Sequence, residues 1–443
     1  MFRSLIQLLA FAGSLSLCDA QSNAVFSQNL ENSAIQTYAS NNTWKGDWWS
    51  KWDKGVSDGR AKVIEENGNH ILEVFLPENS VTNDDRDNNS PSTVAGGVAW
   101  RTRFDSNSNV HSWTRDKKPR YDELYLSYRL KFSDGYDFAR GGKLPGLAGG
   151  YTTTNTNGTE TIDDDTIATD RPPTGGKKPT GYDGFSARMM WHAGGTYEAD
   201  ESRSVARLVQ YVYQPDPSDQ TDGYQPSSGS LTDPYGTLFY YTDKNDANEL
   251  LTIESGKWYH ITHRVKMNTI DDDNTAHYDG VLEAWVDGVK VVSVHNLRFR
   301  YINDFSIDTL LFTIFHGGSD NSWANNQDQY IYFDDIVLSE HADSDGDGFS
   351  DADEILAGTD RFDPDDFLKT STPVAVYENG QLAGHQISWP TKHNKLYSLY
   401  WSTDLINFQL LAENLSPDQA EFTNTQHLDE EKIFYRLAVK DGE

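Results

Sequence analysis

From Glu123 to Phe132 apolar side chains fall on every second residue. Leu124, Leu126, Tyr128, Leu130 and Phe132 alternate with Glu123, Tyr125, Ser127, Arg129 and Lys131. A period of two predicts a strand with one face in a core and the other toward water. Val281–Val286 and Val289–Val294 flank Asp287-Gly288, a pair that suits the positive-φ turn of a two-residue hairpin. His70–Leu76, Phe185–His192, Val205–Gln214, Trp258–Met267, Leu310–His316 and Tyr330–Leu338 add further strands. No long stretch carries a convincing helical period. Many strands and regular turns predict an all-β, two-sheet sandwich of the jelly-roll kind over residues 21–339.

Two segments interrupt this pattern. Tyr151–Gly184 is rich in Thr, Asn, Asp, Gly and Pro and reads as a solvated insertion, with a lid beside an active site as the alternative. Glu340–Asp366 holds eleven acids against one Arg, which marks a connector over residues 340–370. Beyond it, Ile387–Trp389, Leu396–Ser402, Phe408–Leu411 and Ile433–Val439 predict a small β-sandwich module over residues 371–443, similar to the fibronectin-type modules of secreted enzymes. At the start, Arg3 precedes an apolar run from Leu5 to Leu17 that ends at Cys18-Asp19-Ala20. Residues 1–20 therefore read as a secretory signal, too short to span a membrane. A lipid anchor on Cys18 is the alternative, which Leu17 fits poorly. The mature chain then has no cysteine, no membrane span and no thiolate chemistry. A secreted, monomeric protein is expected.

Charge narrows the partners. Of 443 residues, 37 are Lys or Arg and 68 are Asp or Glu, a net charge of −31. That balance disfavours nucleic acid, because little would displace counterions from a phosphate backbone. Aromatic residues make up 12% of the chain, more than an acidic disordered chain would carry, so the chain folds around a core. A polyanionic substrate is repelled at long range unless basic residues gather locally.

The sharpest local motif lies in the connector. Asp343, Asp345, Asp347, Asp351 and Glu354 stand at loop positions one, three, five, nine and twelve, with Gly348 at six and the Phe349 carbonyl at seven. Calcium needs six to eight hard oxygens around a tight turn, and this loop supplies them. The run continues with Gly358-Thr359-Asp360 and Asp363-Pro364-Asp365 and resembles the thrombospondin type 3 repeat, in which calcium stiffens a spacer. The expected Ca2+ is structural, and catalysis is expected to need no cofactor.

Several chemistries find no support in the larger region. The 12 His include no HExxH, and His260 and His263 fall on opposite faces of one strand. A nucleophile elbow is absent, and so is the E-x-D-x-x-E strand of jelly-roll glycosidases. Glu283, Asp334 and Asp335 read as single acids near turns, as surface groups or caps. What remains is basic and phenolic. Lys143 lies in Gly141-Gly142-Lys143-Leu144-Pro145-Gly146-Leu147, which reads as a loop made compact by Gly and Pro. Alternation puts Ser186, Arg188, Met190 and His192 on one strand face, and Phe185, Ala187, Met189 and Trp191 on the other. Tyr211 and Tyr213 share a face of the next strand.

Together these groups suit removal of a proton beside a carboxylate. In a uronate polymer the C5 proton is weakly acidic, because its loss loads charge onto the neighbouring carboxylate. A cation and hydrogen-bond donors at that carboxylate stabilise the enolate-like transition state. A base takes the C5 proton and an acid protonates the departing O4. Arg suits a forked grip on carboxylate, with Ser as a further donor.

The segments GGKLPGL, FSARMMW, YVYQP and Phe315-His316-Gly317-Gly318-Ser319-Asp320 with Tyr330–Phe333 resemble, in order, polysaccharide lyase family 14 and the related glucuronan lyases of family 20. The resemblance spans roughly residues 41–339. It implies a β-jelly roll that cleaves alginate or glucuronan by β-elimination. It further implies that Lys143 is the essential lysine, that Ser186 and Arg188 bind the substrate carboxylate, and that Tyr211 and Tyr213 are the catalytic tyrosines. His192, on the Arg188 face, is expected among the substrate contacts. The partner implied is an anionic uronate polysaccharide, with mannuronate-rich alginate preferred over glucuronan. A non-catalytic carbohydrate-binding jelly roll is the competing reading, and it would not need Lys143 and the paired tyrosines together.

Overall fold

The computed structural model describes residues 24–31, 33–38, 53–83, 94–103, 121–150, 172–175, 178–192, 203–215, 251–317, 321–342, 366–368, 373–392, 395–403, 408–426 and 433–441, with shorter pieces at 44, 48, 152–153, 167–169, 232–233, 236–240, 351, 354, 357–359 and 370–371. The chain divides into two compact units, the larger spanning Ala24–Glu340 and the smaller holding His341–Glu443.

Two nine-stranded antiparallel sheets build the larger unit. At the centre of the first, the Gln329–Ser339, Glu123–Phe132, Trp258–Lys266 and Gly280–Val286 strands lie side by side. In the second, the order runs Gly236–Tyr240, Val205–Tyr213, Gly184–His192, Gly141–Gly150, Thr309–His316, Val98–Arg103. One apolar core takes the even-numbered side chains Leu124 to Phe132 from the first sheet. From the second it takes Phe185, Ala187, Met189 and Trp191 with Leu310, Phe312 and Ile314. This is the alternation read from the sequence: each strand turns one face inward because its apolar residues recur every second position. Trp100 stacks on Phe312 at 4.3 Å and meets Trp48 edge-on at 4.7 Å, a dense aromatic wedge within that core. The Asp287-Gly288 hairpin forms as expected, with φ of 48° and 73° at its two turn residues.

Polar groups inside the sandwich are paired across it. His263 Nδ1 bonds Gln210 Nε2 at 2.8 Å, joining the two sheets, and burial pushes the imidazole down to about 3, so it stays neutral. Asp137 accepts two bonds from Arg203, at 2.5 and 2.6 Å, and pins the segment that follows the Glu123–Phe132 strand.

The smaller unit has two three-stranded sheets, one of Val374–Glu378, Gln381–Ser388 and Glu421–Asn424, the other of Gln409–Leu415, Lys395–Ser402 and Phe434–Asp441. Ile387, Trp389, Tyr397, Leu399 and Leu437 fill the space between them.

Candidate active site

The predicted site residues stand on the face of the second sheet that points away from the core. Arg188 is directly opposite Tyr211, and Ser186 opposite Tyr213. Lys143 is opposite Met190, and Gly146 opposite Arg188. Paired residues of antiparallel neighbours share a face, so this register alone gathers Lys143, Arg188, Tyr211 and Tyr213. The two phenols converge, with Tyr211 Oη donating to Tyr213 Oη at 3.3 Å and the rings edge-on at 4.9 Å. The Lys143 ammonium lies 5.2 Å from the Tyr211 ring centre and donates to Met190 Sδ at 3.2 Å and the Gly317 carbonyl at 3.4 Å. The Arg188 guanidinium carbon is 5.9 and 5.8 Å from the two tyrosine rings. Around them Met190, Val209 and Leu238 form an apolar patch separate from the main core.

Arg188 is the unusual member. It is 4% exposed, and among the described residues it has no carboxylate and no hydrogen-bond partner. A buried cation is ordinarily paired, because leaving it bare costs several kcal/mol. Among the described residues this guanidinium therefore has room to accept an anion.

Lys143 corrects the sequence reading. It lies within a central strand, Gly141–Gly150, and not in a loop. Between Lys143 and Gly146 the register shifts: Leu144 and Pro145 stand where the partner strand has Met189 alone. Proline cannot donate to the ladder, so inside a sheet it is confined to such a bulge. The extra residue leaves Lys143 and Gly146 on the same face, although strict alternation would separate them. Gly146 is obligatory there, since a Cβ would stand 2.2 Å from the Arg188 Cα. The signal for both roles is the proline amid glycines, which the sequence reading assigns to a compact loop.

Two expected contacts lie to the sides of this cluster. Ser186 is 0% exposed and its hydroxyl donates to the Pro173 carbonyl at 2.8 Å, so the end of the insertion covers it. His192 is also 0% exposed, with Trp323 packed 6.2 Å from its ring. Pro173 and Trp323 left no signal in the sequence. Glu283, Asp334 and Asp335 are not surface caps near turns. Glu283 is 3% exposed and is held by Arg264 at 2.7 Å and Lys290 at 2.6 Å. Asp334 accepts from Asn69 at 2.6 Å, and burial beside Asp335 pushes it up to about 7. All three belong to the first sheet and are remote in register from Lys143.

Charge is sorted by sheet face. On the outer face of the second sheet, the paired positions from Val98–Arg103 to Gly236–Tyr240 hold Arg101, Arg103, Lys143, Arg188 and Arg207, with Glu254 opposite Val205 an acid near the edge. The first sheet mixes signs on its outer face: Glu123, Arg264 and Glu283 form one network, Lys131 and Glu66 another.

In the connector, Asp343, Asp345, Asp347 and Phe349 lie outside the described residues. Asp351 is half-buried and Glu354 is 1% exposed. A carboxylate so enclosed fits a cation ligand, since its charge needs compensation.

The model of polysaccharide lyase 14 matches residues 65–336, more than half of the chain and all of the cluster, and that of the bacterial TSP3 repeat matches residues 343–364. No curated protein matches the chain. Among solved structures, the chain is similar to the alginate lyase Aly36B, at 22% identity over 71% of this chain and 95% of that one, TM-score 0.46. A second is the marine PL-14 alginate lyase from Aplysia kurodai, at 20% identity over 71% and 98%, TM-score 0.47. A third is the alginate lyase vAL-1 from Chlorella virus, at 18% identity over 67% and 94%, TM-score 0.44.

Proposed function

Because the chain belongs to polysaccharide lyase family 14, we propose that its outer-face cluster cleaves a β-1,4-linked uronate polymer by β-elimination, with mannuronate-rich alginate as the substrate. The observation that carries this reading is Arg188, a buried guanidinium with no carboxylate partner among the described residues. It takes the substrate carboxylate and stabilises the charge that develops there as the C5 proton leaves. One phenol, as phenolate beside the Lys143 ammonium, removes that proton. The electron pair forms the C4–C5 double bond, the C4–O4 bond breaks, and O4 receives a proton from a phenol.

The adjacency of the two phenols favours mannuronate over guluronate. With hydroxyls 3.3 Å apart, base and acid approach the sugar from one side. In β-D-mannuronate the C5 hydrogen and O4 lie on the same side of the bond that becomes double, whereas in α-L-guluronate they lie opposite. Polymannuronate, polyguluronate and glucuronan, each incubated with the protein, should differ in the ultraviolet absorbance of the conjugated double bond. Absorbance should rise fastest with polymannuronate. Faster cleavage of polyguluronate would overturn the one-sided mechanism, and faster cleavage of glucuronan would move the substrate to that polymer.

We further propose that the protein is exported by its apolar leader and that the connector holds calcium through Asp343, Asp345, Asp347, Asp351, Glu354 and the Phe349 carbonyl. Bound there, calcium supplies charge compensation to carboxylates that otherwise repel one another. Calorimetric titration of the chelator-treated protein should show calcium uptake that Glu354→Gln weakens, and heat-silent titration would remove the metal from this account.

A further inference from the structure

We propose that His316 is a positioning residue for Lys143: clamped from the first sheet by Gln329, its imidazole fixes the Gly317 carbonyl that receives the Lys143 ammonium. This rests on the catalytic role proposed above for Lys143.

His316 ends the Thr309–His316 strand, and alternation turns its side chain inward with Ile314. The ring stacks on Tyr136 at 5.7 Å and meets Trp191 edge-on at 5.2 Å. His316, Gln329 and Tyr136 are all but enclosed. Apolar side chains would fill the same space, whereas a connected polar set specifies one arrangement.

Hydrogen bonds fix the state of the ring. Gln329 Oε1 accepts from the Asp137 backbone N–H at 2.9 Å, and Gln329 Nε2 donates to the Asp137 carbonyl at 3.0 Å. This reciprocal pair sets which end of the amide is which. Gln329 Nε2 also lies 2.7 Å from His316 Nε2, and an amide nitrogen can only donate. His316 Nε2 is therefore the accepting nitrogen and the proton sits on Nδ1. The Tyr136 hydroxyl stands 3.2 Å from the same Nε2. Burial pushes the imidazole down to about 3, and the fields of Asp137 and Arg203 act on it in opposite senses. A ring so neutral holds position and exchanges no proton.

The clamp reaches the site through the backbone. Asp137 is itself gripped by Arg203 at 2.5 and 2.6 Å, which anchors the far end. Directly after His316, Gly317 donates its N–H to the Gly141 carbonyl at 3.2 Å. The Gly317 carbonyl accepts from Lys143 Nζ at 3.4 Å. Anchors on two successive residues, one from the first sheet and one from the neighbouring strand, set the direction of that carbonyl.

The pH profile of turnover provides the test. Glutamine can set an acceptor oxygen where histidine has Nε2, and asparagine is too short to reach it. His316→Gln should keep kcat within about threefold of the wild type, whereas His316→Asn should lose about tenfold with KM unchanged, the worth of a hydrogen bond to a charged group. In His316→Asn the alkaline limb of kcat should move to lower pH, because an ammonium that loses its acceptor gives up its proton more readily. Gln329→Met withdraws the clamp and leaves the ring, so it should shift the same limb even where His316→Asn fails to fold. Equal losses in the Gln and Asn variants, or a limb that stays in place while kcat falls, overturn the inference and leave His316 as core filling. Full turnover in Lys143→Ala would instead overturn the catalytic reading on which it rests.

Discussion

Lys143→Ala, and phenylalanine at whichever of Tyr211 or Tyr213 takes the proton, should each lower kcat by about 10²–10⁴-fold, the usual worth of a positioned acid or base. A phenol ordinarily titrates near ~10 and is protonated at neutral pH. What can make one reactive here is a cation in a partly dry site, and the Lys143 ammonium stands 5.2 Å from the Tyr211 ring among Met190 and the Gly317 carbonyl. Without that ammonium the phenolate loses its stabilising charge. Substrate should still bind, so KM should move little while kcat falls. The fold should tolerate each change, because all three residues lie on the outer face, off the main core. Steady-state kinetics alongside circular dichroism will check this. If Lys143→Ala and both tyrosine variants stay folded and keep most of their turnover, the chemistry lies elsewhere.

Arg188 should separate activity from stability. Removing one preorganised donor from the developing charge should lower kcat about 10²–10³-fold. Arg188→Lys should be nearly as poor, since it keeps the charge and loses the fork. Yet the native guanidinium is buried without a carboxylate among the described residues, so in the resting protein only the two tyrosine rings offset its desolvation. Arg188→Met should fill the same volume and melt higher, by about 2–4 °C for each 1 kcal/mol gained. A less active but more stable variant is the mark of a group kept for its ligand. If melting temperature and activity fall together, Arg188 holds the sheet together and the carboxylate grip must be sought in another residue.

The strands and their faces could be read from the sequence because period-two alternation is local. Phe185, Ala187, Met189 and Trp191 needed only their spacing to be placed in the core, Arg188 only its own to be placed opposite, and Tyr211 and Tyr213 only theirs to share a face. Alternation says which way a side chain points and nothing of what covers it. Ser186 is covered by Pro173 from a segment without periodicity, and His192 by Trp323, more than a hundred residues later. Lys143 was legible as a reactive group and not as a strand residue, because a bulge hides the period at the place where it changes phase. Asp334 and Glu283 were misplaced for a related reason: their partners Asn69, Arg264 and Lys290 sit on other strands, and pairing is what lets an acid be buried.

A molecule of net charge −31 whose second sheet carries Arg101, Lys143, Arg188 and Arg207 outward meets a polyanion in two regimes. At tens of ångströms the whole charge acts, and the polymer is pushed away. At contact only the near face counts, and there the sign reverses. Dissolved salt treats the two unequally, since the Debye length falls from about 10 Å at 0.1 M to about 3 Å at 1 M, while enclosed pairs are screened much less. Added electrolyte thus lowers the barrier to encounter and leaves the grip proposed for Arg188 in place. The usual penalty of ionic strength on a protein that holds a polyanion is relieved, and the medium this surface suits is a salty one.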